Sequence, residues 1–138
     1  MVLTEGDKML LTPTYHVFDM YAPHHDATCL PCFVDAGSLG EGDTAVPSLS
    51  ASRAGDGSVH VTMTNLSASK AVPVAVALHG LDVSSLQAQV LTGDAMNSHN
   101  TFAASDTVQP VELDGLRPTK RGFDLELPPR SVVAVNAR

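Results

Sequence analysis

Residues 58–65 read SVHVTMTN, and this stretch decides the fold class. Apolar side chains at positions 59, 61 and 63 alternate with polar side chains at positions 60, 62 and 64. Successive side chains of a β-strand point to opposite faces, so the alternation predicts a strand with one apolar face and one polar face. Asp56-Gly57 stands just before the strand, and this dipeptide between alternating segments is a strong hairpin signal.

Similar segments lie on both sides of this strand, separated by turn residues. The predicted strands cover residues 47–54, 58–65, 72–78, 86–93, 107–113, 122–128 and 131–137. Pro128-Pro129-Arg130 supplies a second tight connection. Roughly seven short strands at this spacing are typical of a sandwich or barrel, and we predict an all-β antiparallel sandwich over residues 46–138.

The first part of the chain has a different pattern. An apolar run at Lys8–Leu11 predicts a strand, and Thr12-Pro13 combines a helix N-cap with a proline at the first helical position. We predict a helix over Pro13–Tyr21, ended by Pro23. The glycine- and carboxylate-rich stretch DAGSLGEGDT, residues 35–44, predicts an exposed connection. The strand and helix have no partner of their own, so we expect them to belong to another structure.

Composition excludes several classes of partner. The formal net charge is −7 with eight Lys and Arg residues, and Arg117, Lys120 and Arg121 look like a solvated loop, so we expect neither nucleic acid nor a membrane surface as partner. No apolar run reaches the ~18 residues of a membrane span, and charged residues interrupt the N-terminus where a secretory signal would need an apolar region. Two cysteines make no disulfide framework, which favours a reducing compartment.

The stretch HHDATCLPC, residues 24–32, raises the question of a metal or redox site. A zinc site needs two ligand pairs, and only one C-x-x-C pair is present; His24, His25, Cys29 and Cys32 form a site only if every donor converges. A thioredoxin-type motif needs a helix beginning at its first cysteine, whereas the predicted helix here precedes the motif. We therefore expect no metal site and interpret the two cysteines as small apolar residues in a buried crossing segment.

The loop AMNSHNTF, residues 95–102, concentrates polar side chains between two strands. Side chains such as Asn97, His99 and Asn100 commonly cap turns through their own backbone, and we interpret them as a structural loop. A contact to a polar ligand is the alternative, because binding residues often lie on loops.

Three stretches together resemble a known family. They are VLTEGDKMLLTPTYHVFDMYAPHHDATCLP at 2–31, LSASRAGDGSVHVTMTNL at 49–66 and VLTGDAMNSHNTF at 90–102, and LLTPTYHVFDMY and AMNSHNTF are their specific parts. The chain resembles the C-terminal portion of an α-L-arabinofuranosidase of glycoside hydrolase family 51. The resemblance covers most of the chain, which departs from it at Cys29 and Cys32, where aliphatic residues are expected.

The resemblance implies a jelly-roll-like sandwich that follows a (β/α)₈ catalytic barrel. Residues 1–25 would be the barrel's last strand and helix, 26–45 the crossing segment and 46–138 the sandwich. A complete barrel takes on the order of 250 residues, so this chain cannot contain one. The family's two catalytic glutamates, an acid/base and a nucleophile of a retaining mechanism, have no counterpart here, and we expect the chain alone to be inactive and to need no cofactor.

Further expectations follow for the parent enzyme. It would hydrolyse terminal α-L-arabinofuranosyl residues of arabinan or arabinoxylan, contacting these saccharides only through the barrel. It would be a cytoplasmic homo-oligomer. Residues at the end of the last barrel strand face the active site of such barrels, so Tyr15 and His16 would border the arabinose pocket.

Two other classes of protein stay open at this point. An independent carbohydrate-binding module would stack sugars on aromatic rings, but the chain has no Trp and its two Tyr residues lie before the sandwich. A small metal-binding protein would rest on His24, His25, Cys29 and Cys32 alone. The predicted function is therefore a non-catalytic sandwich that packs on the barrel and supports assembly.

Overall fold

The computed structural model describes residues 1–35 and 48–138. Most of the predicted exposed connection, residues 36–44, lies outside the described residues, as does the beginning of the strand predicted at 47. The first elements are β1 (Val2–Glu5), β2 (Lys8–Leu11), α1 (Pro13–Tyr21), a 3₁₀ helix (Ala22–His24) and β3 (Thr28–Cys29). The others are β4 (Ser48–Arg53), β5 (Val59–Asn65), β6 (Val72–Ala77), β7 (Leu86–Leu91), β8 (Val111–Glu112), β9 (Arg117–Thr119), β10 (Gly122–Leu127) and β11 (Ser131–Ala137).

Two antiparallel sheets form the sandwich, which confirms the predicted fold class. The larger sheet has six strands in the order β3-β4-β5-β11-β7-β8, and the smaller has three in the order β6-β10-β9. Strands β1 and β2 pair only with each other, as a separate hairpin. The strand order of the larger sheet does not follow the order along the chain, and β11 lies at its centre between β5 and β7.

The core lies between the facing sides of the two sheets. The alternation in SVHVTMTN is realised as predicted, with Val59, Val61 and Met63 almost completely buried. Strand β11 pairs with β5 along its whole length and continues the layer. The smaller sheet contributes Phe123, Leu125 and Leu127, which belong to the same core cluster. Removing this apolar surface from water is the main term that stabilises the sandwich.

The two predicted tight connections have different roles. Between β4 and β5, the Gly57 N–H donates to the Ala54 carbonyl at 3.0 Å with a positive φ of 88°, and the paired strands confirm the hairpin. Pro128–Arg130, in contrast, connects β10 to β11, which belong to different sheets. This connection is therefore a crossover between the layers.

A buried amide holds that crossover in place. The Asn65 side chain donates to the carbonyls of Leu127 at 3.0 Å and Pro128 at 2.9 Å, and its Oδ1 accepts from the Ser67 N–H at 2.9 Å. It therefore joins the end of β5 to the end of β10 across the two layers. Nothing in the sequence pattern had singled out Asn65.

Three short strands were missed by the sequence pattern. They are β1, β3 and β9, and none is longer than four residues. Strand β9 contains Arg117 and Pro118, which the sequence analysis assigned to a solvated loop. It is an edge strand of the smaller sheet, a place where proline and charged residues are tolerated. The strand predicted over 107–113 is only two residues long in the structure.

Helix α1 has the predicted bounds and packs on the outer face of the larger sheet. Its Met20 is buried against Leu91 and Val108, with Val132 and Ala134 of β11 beside them. The outer face of this sheet is therefore covered, and Thr62 is buried there although it points away from the core. The α-helix ends at Tyr21, as predicted, and Pro23 lies in the 3₁₀ helix that follows, whose first turn tolerates a proline because it needs no N–H.

Among the described residues, no helix is long and apolar enough to cross a membrane.

Candidate functional site

The contacts between the N-terminal tail, defined as residues 1–25, and the sandwich form an organised polar site. His24, at the end of the 3₁₀ helix, is half-buried and uses both ring nitrogens. Its Nδ1 is 2.6 Å from Ser52 Oγ on β4, and its Nε2 is 3.1 Å from Thr62 Oγ1 on β5. A single imidazole thus ties the tail to two strands of the larger sheet.

The surroundings of His24 disfavour its charged form. Burial lowers the pKa of His24 below its usual value, and the nearby His60 and His25 lower this pKa further. The His24 and His60 rings are 6.3 Å apart between centroids, and the Tyr21 ring is 5.6 Å from His24. The geometry therefore fits a neutral imidazole between two hydroxyl groups.

An exposed ion pair lies next to this contact. The Asp56 carboxylate accepts from the Ser58 hydroxyl at 2.6 Å and from the Ser58 N–H at 3.0 Å. These bonds hold the pKa of Asp56 below its ordinary value, with a smaller contribution from Arg138 at 3.4 Å. The Ser58 hydroxyl also lies 3.4 Å from His60 Nε2, which continues the polar contacts toward His24.

Asn100 makes the second connection between the tail and the sandwich. Its amide nitrogen donates to the Leu11 carbonyl of β2 and to the Val108 carbonyl, both at 2.9 Å. Its Oδ1 accepts from the Val108 N–H at 2.7 Å, and the residue is 6% exposed. The Asn100 side chain therefore fixes the end of the tail hairpin to the loop after β7.

The other polar residues of that loop have local contacts. His99 is exposed and its Nδ1 lies 2.8 Å from the Asn97 carbonyl, while Asn97 is exposed. Gly93 begins the loop at a position where a Cβ would lie 2.7 Å from the Ser98 Cβ. These contacts organise the turn itself and aim no group at a common point.

Tyr15 and His16 lie in the first turn of α1. Thr12 caps this helix, since its Oγ1 accepts from the Tyr15 N–H at 3.4 Å. The Tyr15 and His16 rings meet edge to face at 5.6 Å, and both side chains are half-buried. Their predicted place beside an arabinose pocket stays a prediction.

The tail also has an apolar surface that packs against nothing. Phe18 of α1 is 61% exposed and Met9 of β2 is 66% exposed. If the barrel is absent, the apolar face of this helix, Tyr15 and Phe18, is expected to be exposed; Phe18 is exposed, whereas Tyr15 is half-buried. We use the name tail surface for the exposed large apolar side chains of the tail: Met1, Val2, Leu3, Met9 and Phe18.

The residues of HHDATCLPC do not come together as a ligand set. In residues 1–35 and 48–138, no three or more His, Cys, Asp or Glu side chains are close enough to hold a metal ion. The interpretation of the cysteines as buried packing was wrong, because Cys29 and Cys32 are both exposed free thiols. Strand β3 is the edge of the larger sheet, and its side chains there are exposed.

Comparison with known proteins identifies the family. The sequence-family model of the α-L-arabinofuranosidase C-terminal domain matches residues 1–131, which is nearly the whole chain. The chain belongs to the α-L-arabinofuranosidase C-terminal domain family. The resemblance found in the sequence is thereby confirmed.

Relatives of this arabinofuranosidase C-terminal domain are much longer than the chain. It is 31% identical to an intracellular exo-α-L-arabinofuranosidase of Bacteroides ovatus, covering 98% of this chain and 27% of the relative. A GH51 arabinofuranosidase structure from Xanthomonas axonopodis pv. citri superposes with a TM-score of 0.91 at 41% identity, covering all of this chain and 28% of the other. The chain therefore spans about a quarter of the proteins it matches.

A more distant structure shares the fold alone. The thermostable GH51 α-L-arabinofuranosidase from Thermotoga petrophila has a TM-score of 0.76 at 19% identity, covering 99% of this chain and 31% of the other. In this arabinofuranosidase C-terminal domain, the organised polar residues His24 and Asn100 hold the tail to the sandwich.

Sequence reasoning found one half of this joint. It singled out His24 and Asn100 but missed Ser52 and Thr62, the partners of His24, because a serine or threonine on a predicted outer face looks like a solvated side chain. A usable signal was present in SVVAV at 131–135, where apolar residues occupy both faces of the strand. Such a continuous apolar run is typical of a strand covered on both sides.

Proposed function

We propose that this chain is the C-terminal sandwich of a longer α-L-arabinofuranosidase and packs against the catalytic (β/α)₈ barrel of the same polypeptide. The observation that carries the proposal is the tail surface, whose Met9 and Phe18 are 66% and 61% exposed. Large apolar side chains exposed together on one short segment indicate a missing partner. The chain's coverage of only 27% of its relative fits a partner that lies elsewhere in the polypeptide.

The proposed division follows from the joint between tail and sandwich. Residues 1–25 would complete the barrel, 26–45 would cross over, and 46–138 would form the sandwich. His24 and Asn100 hold the tail on the sandwich, so the barrel would rest on a surface already positioned by them. The sandwich would then support assembly by fixing the last barrel elements, and a homo-oligomer of the parent enzyme is part of the proposal.

The proposed activity belongs to the whole enzyme. It is hydrolysis, with retention, of terminal α-L-arabinofuranosyl residues of arabinan or arabinoxylan. Support comes from the Bacteroides ovatus relative, which is named an intracellular exo-α-L-arabinofuranosidase and also suggests a cytoplasmic location. This chain would contribute no catalytic residue and would be inactive alone.

Tyr15 and His16 are the proposed exceptions to this purely structural role. They follow directly after β2, at the start of α1, where residues of a barrel border its active site. In the whole enzyme, Tyr15→Phe and His16→Ala would raise KM for an aryl α-L-arabinofuranoside. Unchanged kinetics in both variants would remove these residues from the pocket without affecting the rest of the proposal.

The deciding experiment compares this chain with a longer product of the same reading frame. The frame is expected to extend upstream by some 350 residues, the length of a barrel with an additional strand region. Both proteins are purified and assayed on an aryl α-L-arabinofuranoside. Activity in the longer protein alone is expected; hydrolysis by this chain alone, or an upstream region without a barrel pattern, contradicts the proposal.

A further inference from the structure

The crossing segment carries a feature that is independent of the proposed function. Cys29 and Cys32 are exposed free thiols separated by Leu30 and Pro31. Exposure leaves both sulfur atoms accessible to a solute, whereas a buried structural cysteine is inert. The two thiols are therefore available for chemistry that packing would have prevented.

Both sulfur atoms lie within hydrogen-bonding distance of the same backbone oxygen. Cys32 Sγ is 3.4 Å from the Leu30 carbonyl oxygen, and Cys29 Sγ is 3.8 Å from that same oxygen. The shared acceptor keeps both sulfur atoms close to the Leu30 carbonyl, and no bond joins them.

Only one of the two cysteines is held by the sheet. Cys29 pairs with Ser52 in the β3–β4 ladder, and the Leu30 N–H donates to the Ala51 carbonyl at 2.9 Å. Residues 31–35 after it belong to no strand or helix. The Cys32 sulfur can therefore move toward a fixed Cys29 with a local rearrangement of residues 30–32.

We propose that Cys29 and Cys32 form a thiol–disulfide redox site that responds to small disulfides of the glutathione class. One cysteine thiolate attacks a sulfur of glutathione disulfide, which forms a mixed disulfide and releases one glutathione thiol. The second cysteine then attacks the mixed disulfide, which forms the Cys29–Cys32 bond and releases the other glutathione. Two electrons pass from the protein to the oxidant, and the two protons end on the two glutathione molecules.

Formation of the Cys29–Cys32 disulfide would change the structure at the edge of the sandwich. The segment from Leu30 to Val34 lines a groove of about 770 Å³ that runs between the larger sheet and β6. Phe33, next to Cys32, is 90% exposed at the rim of this groove. Drawing Cys32 toward Cys29 shortens the segment and displaces that rim, while β3 stays in the sheet.

The test equilibrates the reduced chain with glutathione buffers of increasing disulfide fraction. Intact mass and free-thiol titration are then measured on the monomer. The expected product has lost two hydrogen atoms, retains no glutathione, and returns to the dithiol in reduced glutathione. Retained glutathione on the wild type, cross-linked dimers, or two thiols that stay free where the variants below react would each overturn the proposal.

Cys29→Ser and Cys32→Ser are the matched variants. Each has a single exposed thiol and is expected to retain one glutathione under conditions that leave none on the wild type. Both should fold, because the substituted side chains are exposed, and thermal unfolding checks this.

A comparison with the unfolded chain separates a folded site from the general chemistry of a C-x-x-C sequence. The equilibrium constant with glutathione is measured in buffer and in urea. A folded site predicts that the disulfide is favoured by at least about tenfold in the folded chain, equal to ~30 mV for a two-electron couple. Equal constants in the two states would overturn the proposal even if the disulfide forms.

Discussion

Buried amide side chains connect distant parts of the chain in this domain. The Asn100 side chain bonds to Leu11, a residue 89 positions away in the sequence. Its other bonds go to both backbone groups of Val108. A side chain that satisfies three backbone groups in a buried place cannot be replaced without leaving those groups unpaired.

Replacing Asn100 with alanine is expected to destabilise the chain. The variant leaves the Val108 N–H and two carbonyls without partners, and unsatisfied buried groups cost about 1–3 kcal/mol each before water compensates. We expect the free energy of unfolding to fall by about 2–3 kcal/mol in urea titrations. Asn97→Ala, at an exposed position of the same loop, is the control and should change it by less than ~0.5 kcal/mol. Equal effects of the two variants would contradict the assigned role of Asn100.

Gly122 is a second position where one residue decides the local structure. It begins β10 with a positive φ of 155°, and a Cβ there would collide with the Val76 carbonyl oxygen of the paired strand β6. We expect Gly122→Ala to lower the free energy of unfolding by about 1–3 kcal/mol, because the two strands must separate to make room. The control is Gly55→Ala, since a Cβ at Gly55 meets no atom within 4 Å. Similar melting temperatures for the two variants would rule out the collision.

The long-range contacts of single residues were the least predictable part of the structure. Asn100 was identifiable as a structural residue, because a cluster of Asn and His between strands favours turn capping. Its bond to Leu11 was not, since no local pattern shows which distant carbonyl an amide reaches. Asn65 has the same kind of role and stands in the middle of a plain strand pattern, so nothing local distinguished it.

At the scale of elements, local signals decided what was predictable. Helix α1 was predicted with its observed bounds because Thr12 and Pro13 specify a helix start without help from tertiary contacts. Strands β3 and β9 were missed because two or three residues hold too little periodicity to recognise. These strands exist because a neighbouring strand supplies their hydrogen bonds, which is information about the sheet and not about the segment.

The 3₁₀ helix that ends the tail is joined to the sheet by His24, whose pKa is lowered in the folded chain. Protonating His24 would remove the lone pair with which one ring nitrogen accepts a hydrogen bond. It would also place a charge beside His60 and His25. The pKa of His24 is lowered in the folded chain, so as pH falls the unfolded chain binds the proton first, near the usual value of about 6.5. Stability that is complete above that pH is therefore lost as pH falls toward the lowered folded pKa.

We predict that the free energy of unfolding decreases as pH falls below about 6.5, the usual pKa of histidine, and that this decrease depends on His24. His24→Gln retains hydrogen-bonding groups but cannot titrate, so its curve should be flatter over this range although its stability at pH 7 is lower. Urea titrations at intervals of pH measure both curves. His99→Gln, at an exposed position of the loop after β7, is the control and should keep the wild-type slope. A His24→Gln curve parallel to the wild type would contradict this role of His24.

The tail covers the outer face of the larger sheet, but the opposite side of the tail is itself uncovered. Met20 and Leu10 of the tail are buried, at 5% and 2% exposure, while Phe18 and Met9 point away from the sandwich. A helix and hairpin with one apolar side buried and another exposed have the pattern of elements between two bodies. The sequence predicted the sandwich from periodicity and indicated that the tail belongs to another structure, whereas the expectation that this second body is a barrel came from the family resemblance.

This arrangement gives a prediction that depends on how much of the polypeptide is present. In the 138-residue chain, Phe18→Ser should change the free energy of unfolding by less than ~0.5 kcal/mol, because Phe18 is already exposed. In the longer enzyme proposed above, the same substitution should cost about 1–3 kcal/mol, since a buried phenylalanine would be replaced by a polar group at the barrel contact. Leu66→Ser is the control, because Leu66 is an exposed apolar residue after β5 on the sandwich and outside the tail surface. Its effect should be the same in both proteins. Thermal and urea unfolding of the four variants measure the difference, and a Phe18→Ser effect that does not grow with the longer polypeptide would mean that the barrel rests on some other surface.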